Sequence, residues 1–380
     1  MSVEQMRVTR LRLGSARRVV TNSRSPHRAC TGETLGARRK RLPSGAVTPV
    51  LFTCAGQRVD IVSAFARAGA TTIAADINTL APALYHADRY AIVPRVDDPG
   101  YVDAIRDLVL AHDIRLIVPL TDLDHEQLVG AREELGAVVL LPALDVVRMT
   151  ADKYLAHTFF QSRGIPSPSS WLLDDVPHDL DYPVLVKARR GFGSRNIFRA
   201  HDREELDFYG RRVTTPSFVQ SCCRGEEFSI DVFCDFDGRC LNAIPRTMIE
   251  SKGGESIKGM TIKDWDLIAY GRAVAEALPI WGPANVQCFR EPDGTHQVTD
   301  VNPRFGGGFP LPLAAGGGYP DLALQLANGE QPEPRLGEFR EGVLMTRFFS
   351  HLCLTAGDAG TLEPFAEELP EPIASEPGEA

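Results

Sequence analysis

From Val47 to Leu141 short runs rich in β-branched residues alternate with amphipathic stretches, and no other feature of the chain constrains its fold as strongly. The alternation predicts strands Val50–Thr53, Thr71–Ala75, Leu116–Pro119 and Ala137–Leu141. Between them it predicts helices Val59–Ala68, Val102–Ala111 and Glu126–Leu135. Alternation of strands with helices implies a parallel sheet, so this part reads as a Rossmann-like α/β unit. Its first turn, Cys54-Ala55-Gly56-Gln57-Arg58, holds one glycine where a dinucleotide site needs several to admit the pyrophosphate. A nicotinamide cofactor is therefore disfavoured, despite Asp76 at the end of the second strand.

From Thr150 the pattern changes. A helix Asp152–Arg163 closes on Gly164-Ile165-Pro166, which sets a boundary near residue 147. Strand signals at Val184–Ala188, Asn196–Arg199, Ser217–Gln220, Phe228–Cys234 and Cys240–Ile244 follow. After a helix Trp265–Leu278, a hairpin joins Ala284–Phe289 to Gln297–Val301, and a helix Asp321–Ala327 ends the regular pattern. The expected fold is thus α/β plus α+β, with domains at 47–147 and 148–354.

The ends differ in charge from the body. Residues 1–43 carry eleven Arg/Lys against two Asp/Glu, a balance of +9, and the remainder has 30 basic against 48 acidic residues, or −18. Residues 1–46 read as a disordered basic extension and 355–380, with seven acids and no base, as a solvated acidic tail. An acidic body lacks the clustered Lys/Arg that phosphate neutralisation requires, so no nucleic acid is expected on the folded part.

No run approaches the roughly 20 apolar residues of a membrane span and no signal-peptide core is present, so no membrane partner and a cytoplasmic location are expected. The eight cysteines lack C-x-x-C spacing, which favours reduced thiols over structural zinc. A homodimer is left open.

The most informative segment is Gly282–Gly308, GPANVQCFREPDGTHQVTDVNPRFGGG. In a strand held through Arg304, the side chains of Asp300, Asn302 and Arg304 share one face. If Asp293-Gly294 forms a two-residue turn, Gln287 falls opposite Asp300 and Asn285 opposite Asn302, giving the oxygen ligands a magnesium site requires. A type I turn on Pro292-Asp293 with Gly294 in a bulge shifts the pairing by one and turns Gln287 away. The metal reading selects the first register.

Two further segments add to it. PVLVKARRGFGSRN, from Pro183 to Asn196, is a strand ending in Lys187 and a basic loop containing Gly191, Gly193 and Ser194, suited to phosphate oxygens. FVQSCCRGEEFSIDV, from Phe218 to Val232, pairs two strands across Arg224-Gly225 with Glu226 and Glu227 beyond, an arrangement that suits a nucleoside or an exposed acidic turn equally well.

The order Lys153, Lys187 with its glycine loop, G-x-E-F, Gln287 and D-x-N-P-R-F-G-G-G resembles the ATP-grasp superfamily. Within it, the chain is most similar to single-unit ligases that look like one half of the carbamoyl phosphate synthase large chain. The likeness runs from about 48 to 350 and includes IESKGGESIKGMTIKD (Ile249–Asp264) and PLTDLDHE around Asp122.

The resemblance implies an ATP-grasp fold preceded by a pre-ATP-grasp domain, with ATP and Mg2+ or Mn2+ as cofactors. It puts Lys153 and Lys187 on the phosphates under a covering loop of Gly191, Gly193 and Ser194. It puts Gln220, Ser221 and Cys223 along the adenine and Glu227 on the ribose. Gln287, Asp300 and Asn302 become the metal ligands, and Arg304 with Lys187 acts on the transferred phosphoryl group. Ser221 and Asp300 both stand where the family more often has Glu.

The implied reaction is formation of an acyl phosphate from a carboxylate and ATP, followed by amine attack to give an amide. Arg246, Glu255 and Lys258 are the expected substrate contacts, as charged groups beside a glycine turn. The alternatives are a non-catalytic nucleotide-binding protein and a bicarbonate-phosphorylating enzyme.

Overall fold

A computed structural model describes residues 47–191, 196–252, 255–356 and 362–364. The basic extension, Gly193, Ser194 and most of the acidic tail lie outside the described residues.

The N-terminal part is β1 (Pro49–Thr53), α1 (Val59–Arg67), β2 (Thr71–Asp76), β3 (Arg89–Ile92), α2 (Tyr101–Ala111), β4 (Leu116–Pro119), α3 (His125–Gly130) and β5 (Val138–Val139). Its five strands pair in parallel in the order β3-β2-β1-β4-β5. β1 and β4 are buried on both faces, which is why they read as unbroken apolar runs. The helix expected at Glu126–Leu135 stops at Gly130, where backbone bonds from Glu134 and Leu135 to Ala131 close a turn that buries Leu135. The strand expected at Ala137–Leu141 is reduced to the two residues of β5, at the sheet edge.

Then follow α4 (Leu144–Ala151), α5 (Lys153–Ser162), β6 (Ser170–Leu172), β7 (Val184–Ala188), β8 (Ile197–Ala200), α6 (Arg203–Arg212), β9 (Ser217–Ser221), β10 (Glu226–Cys234), β11 (Cys240–Thr247), β12 (Glu250–Lys252) and β13 (Glu255–Met260). The remainder is α7 (Trp265–Ala277), β14 (Gly282–Arg290), β15 (His296–Asn302), α8 (Pro310–Ala314), α9 (Tyr319–Ala327), β16 (Leu344–Thr346), β17 (Leu354–Ala356) and β18 (Leu362–Pro364). Two antiparallel four-stranded sheets, β6-β9-β7-β8 and β11-β10-β14-β15, face the site. The tail expected from 355 onward begins instead with strands β17 and β18 paired to each other.

One apolar core runs from Val50 of the parallel sheet and Phe65 of α1 to Ile230 and Val286 of the second antiparallel sheet and Phe305 just beyond β15. The two parts approach closely at Gly282, where an added Cβ would lie 2.6 Å from Leu140 Cγ. Arg58 ties them as well, donating to the carbonyls of Phe305 and Gly306 at 3.1 Å each. Asp76 is spent inside the first unit, accepting the Gly56 and Asn78 backbone N–H groups at 2.8 Å.

Candidate active site

The β14–β15 hairpin combines both registers anticipated from its sequence. Gly294, at φ +87°, donates to the Glu291 carbonyl at 2.8 Å, closing a turn on Pro292-Asp293. Beside it Arg290 pairs with His296 and Cys288 with Val298, the shifted register. A bulge at Thr299 then takes up one residue, so that Gln287 pairs with Asp300 and Asn285 with Asn302. The bulge delivers Gln287 and Asp300 to one face in spite of the turn type.

On that face Asp300 Oδ2 accepts Lys153 Nζ at 2.6 Å and Asn302 Nδ2 at 3.3 Å. Asn302 Oδ1 accepts Arg304 Nη2 at 3.2 Å, and Arg304 Nε donates to Asp122 Oδ2 at 3.1 Å. A polar chain thus runs from α5 through the hairpin to the loop after β4. Burial raises the Asp300 carboxyl, but the Lys153 and Lys187 ammoniums outweigh it and hold the group below the usual carboxylate range.

Lys153 is the first residue of α5 because Asp152 caps that helix, accepting the Tyr154 and Leu155 N–H groups at 3.1 and 3.2 Å. The Asp152 carboxylate also binds Arg189 at 2.7 Å, while the Lys153 N–H donates to the Arg189 carbonyl at 2.8 Å. This clamp fixes α5 to the end of β7 and so sets Lys153 relative to Lys187. An Asp at a helix start was visible in the sequence, but its second partner was not.

Lys187 is 9% exposed, and its Nζ donates to Gln220 Oε1 at 3.0 Å. Lys187 pairs with Phe218 across β7 and β9, which makes Gln220 its diagonal neighbour on the same face. Gln220 Nε2 donates in turn to Ser170 Oγ at 3.0 Å. Burial lowers the Lys187 pKa, and Asp300 recovers only part of the shift. Burial raises the Glu227 carboxyl, against the pull of Arg246 and Lys187, and pushes the Cys223 thiol up to about 12.

A cavity of about 360 Å³ collects Lys153, Lys187, Gly191, Gln220, Ser221, Cys223, Glu227, Gln287, Asp300, Asn302 and Arg304. Leu185, Ile197 and Phe289 supply apolar lining at the linker side. Two of the three expected substrate contacts are placed otherwise, and the third is not described. Arg246 lies within β11, and its Nε bonds Asp231 Oδ2 at 2.8 Å with both side chains 2% exposed, so it is a structural ion pair and not a substrate grip. Lys258 pairs with Glu250 at 2.6 Å across β12 and β13, away from the cavity lining. Glu255 is the first residue of β13, and its side chain lies outside what is described.

The donor set fits a hard divalent cation: one carboxylate and two amide oxygens from paired strands. Among the described residues no group of three or more His, Cys, Asp or Glu is placed to hold a metal ion. Such an ion would therefore depend for charge on ligand oxygens as well as on Asp300.

His157, one helical turn beyond Lys153, is buried, and neither ring nitrogen has a hydrogen-bond partner among the described residues. Burial, with Lys187 nearby, pushes its pKa down to about 4. A folded pKa below the unfolded value of about 6.5 means the unfolded chain binds the proton more readily. Stability is complete above about pH 6.5 and is lost as the pH falls toward the folded value. The thermal midpoint should drop across that window, and His157→Met should flatten that part of the profile.

Comparison with known proteins agrees with this geometry. Residues 50–140 match the family model for the PylC-like N-terminal domain, and residues 214–348 match that for ATP-grasp in the biosynthetic pathway with Ter operon. The chain thus carries a PylC-like N-terminal domain followed by an ATP-grasp domain. A carbamoyl-phosphate synthase of Methanobrevibacter smithii is 26% identical over 155 residues, covering 38% of this chain and 41% of that one, so the likeness spans less than half of that relative.

Among solved structures, the L-amino acid ligase from Bacillus licheniformis superposes with a TM-score of 0.61 at 21% identity, covering 80% of this chain and 78% of the other. The biotin carboxylase domain of Hydrogenobacter thermophilus 2-oxoglutarate carboxylase, in complex with MgADP, ADP and bicarbonate, superposes with a TM-score of 0.63 at 18% identity, covering 78% and 73%. Both show the ATP-grasp fold. Among the described residues no helix is long and apolar enough to cross a membrane.

Proposed function

We propose that the protein is an ATP-dependent carboxylate–amine ligase. The observation that carries this reading is the convergence on one cavity of two lysines, a linker strand and the Gln287, Asp300 and Asn302 oxygens. Adenine lies along Gln220, Ser221 and Cys223 between Leu185, Ile197 and Phe289, and the ribose meets Glu227. Lys153 and Lys187 hold the phosphates beneath the loop of Gly191, Gly193 and Ser194. Gln287, Asp300 and Asn302 hold Mg2+ or Mn2+, which when bound neutralises charge at the β- and γ-phosphates.

A carboxylate oxygen attacks the γ-phosphorus, the bond to the bridging oxygen breaks, and ADP leaves. The amine nitrogen then attacks the acyl carbon, phosphate departs with its oxygen, and the nitrogen loses its proton. Arg304, fixed by Asp122 and Asn302, stabilises the phosphoryl oxygens. Most of the barrier lowering is positional and electrostatic, so no nucleophilic side chain is needed. The identity with a carbamoyl-phosphate synthase favours a second reading, phosphorylation of bicarbonate.

Titration with Mg-AMPPNP tests the nucleotide site. Saturable binding is expected, weakened at least about tenfold in Lys187→Met through loss of a charged contact. The thermal midpoint of that variant should hold or rise, because burying an ammonium is costly. Equal affinity in both proteins would contradict the assignment.

A further inference from the structure

Behind Lys187 a chain of polar side chains crosses three strands of the β6-β9-β7-β8 sheet. Gln220 on β9 pairs with Ser170 of β6 on one side and with Leu185 of β7 on the other, so Ser170, Gln220 and Lys187 share one face. Lys187 Nζ donates to Gln220 Oε1 and Gln220 Nε2 donates to Ser170 Oγ, each at 3.0 Å. The Ser170 hydroxyl donates in turn to the Pro168 carbonyl at 3.1 Å. Gln220 is 3% exposed and lines the cavity, whereas Ser170 lies outside its lining.

Donors and acceptors along this chain permit one polarity. An ammonium has three protons and no acceptor, so it must meet the amide oxygen of Gln220. At the far end the Pro168 carbonyl takes the single proton of the Ser170 hydroxyl, which can then only accept and must meet the amide nitrogen. The Gln220 amide is thus locked from both ends, and two protons of the ammonium remain for phosphate oxygens. Its far anchor is fixed as well. Two residues before Pro168, the Pro166 carbonyl accepts the Val298 N–H at 3.1 Å, which ties this segment to the strand that carries Asp300. The same carbonyl accepts the Tyr270 hydroxyl at 2.9 Å.

We infer that Ser170 is a positioning residue: through the Gln220 amide it fixes the Lys187 ammonium where the nucleotide phosphates arrive. A lysine held in place before its ligand binds loses less side-chain freedom on binding. The amide oxygen also faces a buried ammonium and offsets part of the cost of keeping it charged. The inference rests on the nucleotide site proposed above, and its test separates the two.

Mg-AMPPNP is titrated into the full chain, into Ser170→Ala, Ser170→Thr and Lys187→Met, and into the double variant Ser170→Ala with Lys187→Met. Ser170→Ala leaves the amide nitrogen without its acceptor and should raise the dissociation constant about fivefold, as for one lost hydrogen bond. Ser170→Thr keeps the hydroxyl and should stay within about twofold of the unsubstituted chain. In the Lys187→Met background Ser170→Ala should change the constant by less than about twofold, because it acts only through the lysine. Thermal midpoints check that each variant is folded. A loss of the same size in both backgrounds would mark Ser170 as merely structural and overturn the assignment. Unchanged affinity in Ser170→Ala would overturn it too. Failure of the unsubstituted chain to bind Mg-AMPPNP would instead remove the nucleotide site itself, and the inference with it.

Discussion

Asp300→Ala is expected to lower ADP release from Mg-ATP by at least about a hundredfold while leaving the fold intact. The carboxylate is the only acid among the three oxygen ligands proposed on the hairpin face, and it is also the partner of Lys153 at 2.6 Å. Without it, the Lys153 and Lys187 ammoniums face each other with no anion between them, and the phosphates lose an ordered metal. Asp300→Asn keeps the shape and removes only the charge, so a comparable loss there would locate the effect in electrostatics. The thermal midpoint should change little, because Lys153 lines an open cavity and can turn to solvent. Turnover retained in both variants would mean that the hairpin face takes no part in the chemistry.

Arg246→Ala should have the largest effect on stability. Its guanidinium and the Asp231 carboxylate are buried together, Asp231 Oδ1 also accepts Asn285 Nδ2 at 2.9 Å, and an added Cβ at Gly308 would meet Arg246 Cζ at 2.4 Å. Removing one partner strands a buried charge, which costs about 3–5 kcal/mol. A fall of roughly 5–10 °C in thermal midpoint follows from that cost. A paired substitution, Arg246→Met with Asp231→Leu, should recover part of the loss, since apolar residues of similar volume often replace such pairs without penalty.

The same pair shows where the sequence could and could not be read. Arg246 lies near a glycine turn and looks like a loop cation, but β11 continues to Thr247 and carries it into the sheet. Only the register, with Ser229 opposite Arg246, brings it next to Asp231. Strand β7 was legible to the residue because Val184, Val186 and Lys187 sit in an unbroken β-forming run bounded by Pro183 and Arg189. Strand β3 was missed because Arg89–Ile92 is a largely exposed edge with no apolar alternation.

At the hairpin, turn chemistry and ligand chemistry implied different registers, and the Thr299 bulge reconciles them. Nothing in the residues around Thr299 signals a bulge. Lys187, Gly191, Gln220, Ser221, Asp300 and Asn302, which line the cavity, were legible as motifs, since they lie near a strand end or in a glycine-bearing loop. The Asp152–Arg189 clamp and the Arg304–Asp122 contact join residues 37 and 182 positions apart, and only the folded chain brings them together.

The most direct test of the central claim is ADP release from Mg-ATP with pooled amino acids and small carboxylates, followed by mass spectrometry of the products. A condensed product whose mass equals that of its two precursors less one water, formed with ADP and absent with Asp300→Ala, is the predicted result. ADP release stimulated by bicarbonate alone, or tight nucleotide binding with no stimulated ADP and no new mass, would contradict the ligase assignment.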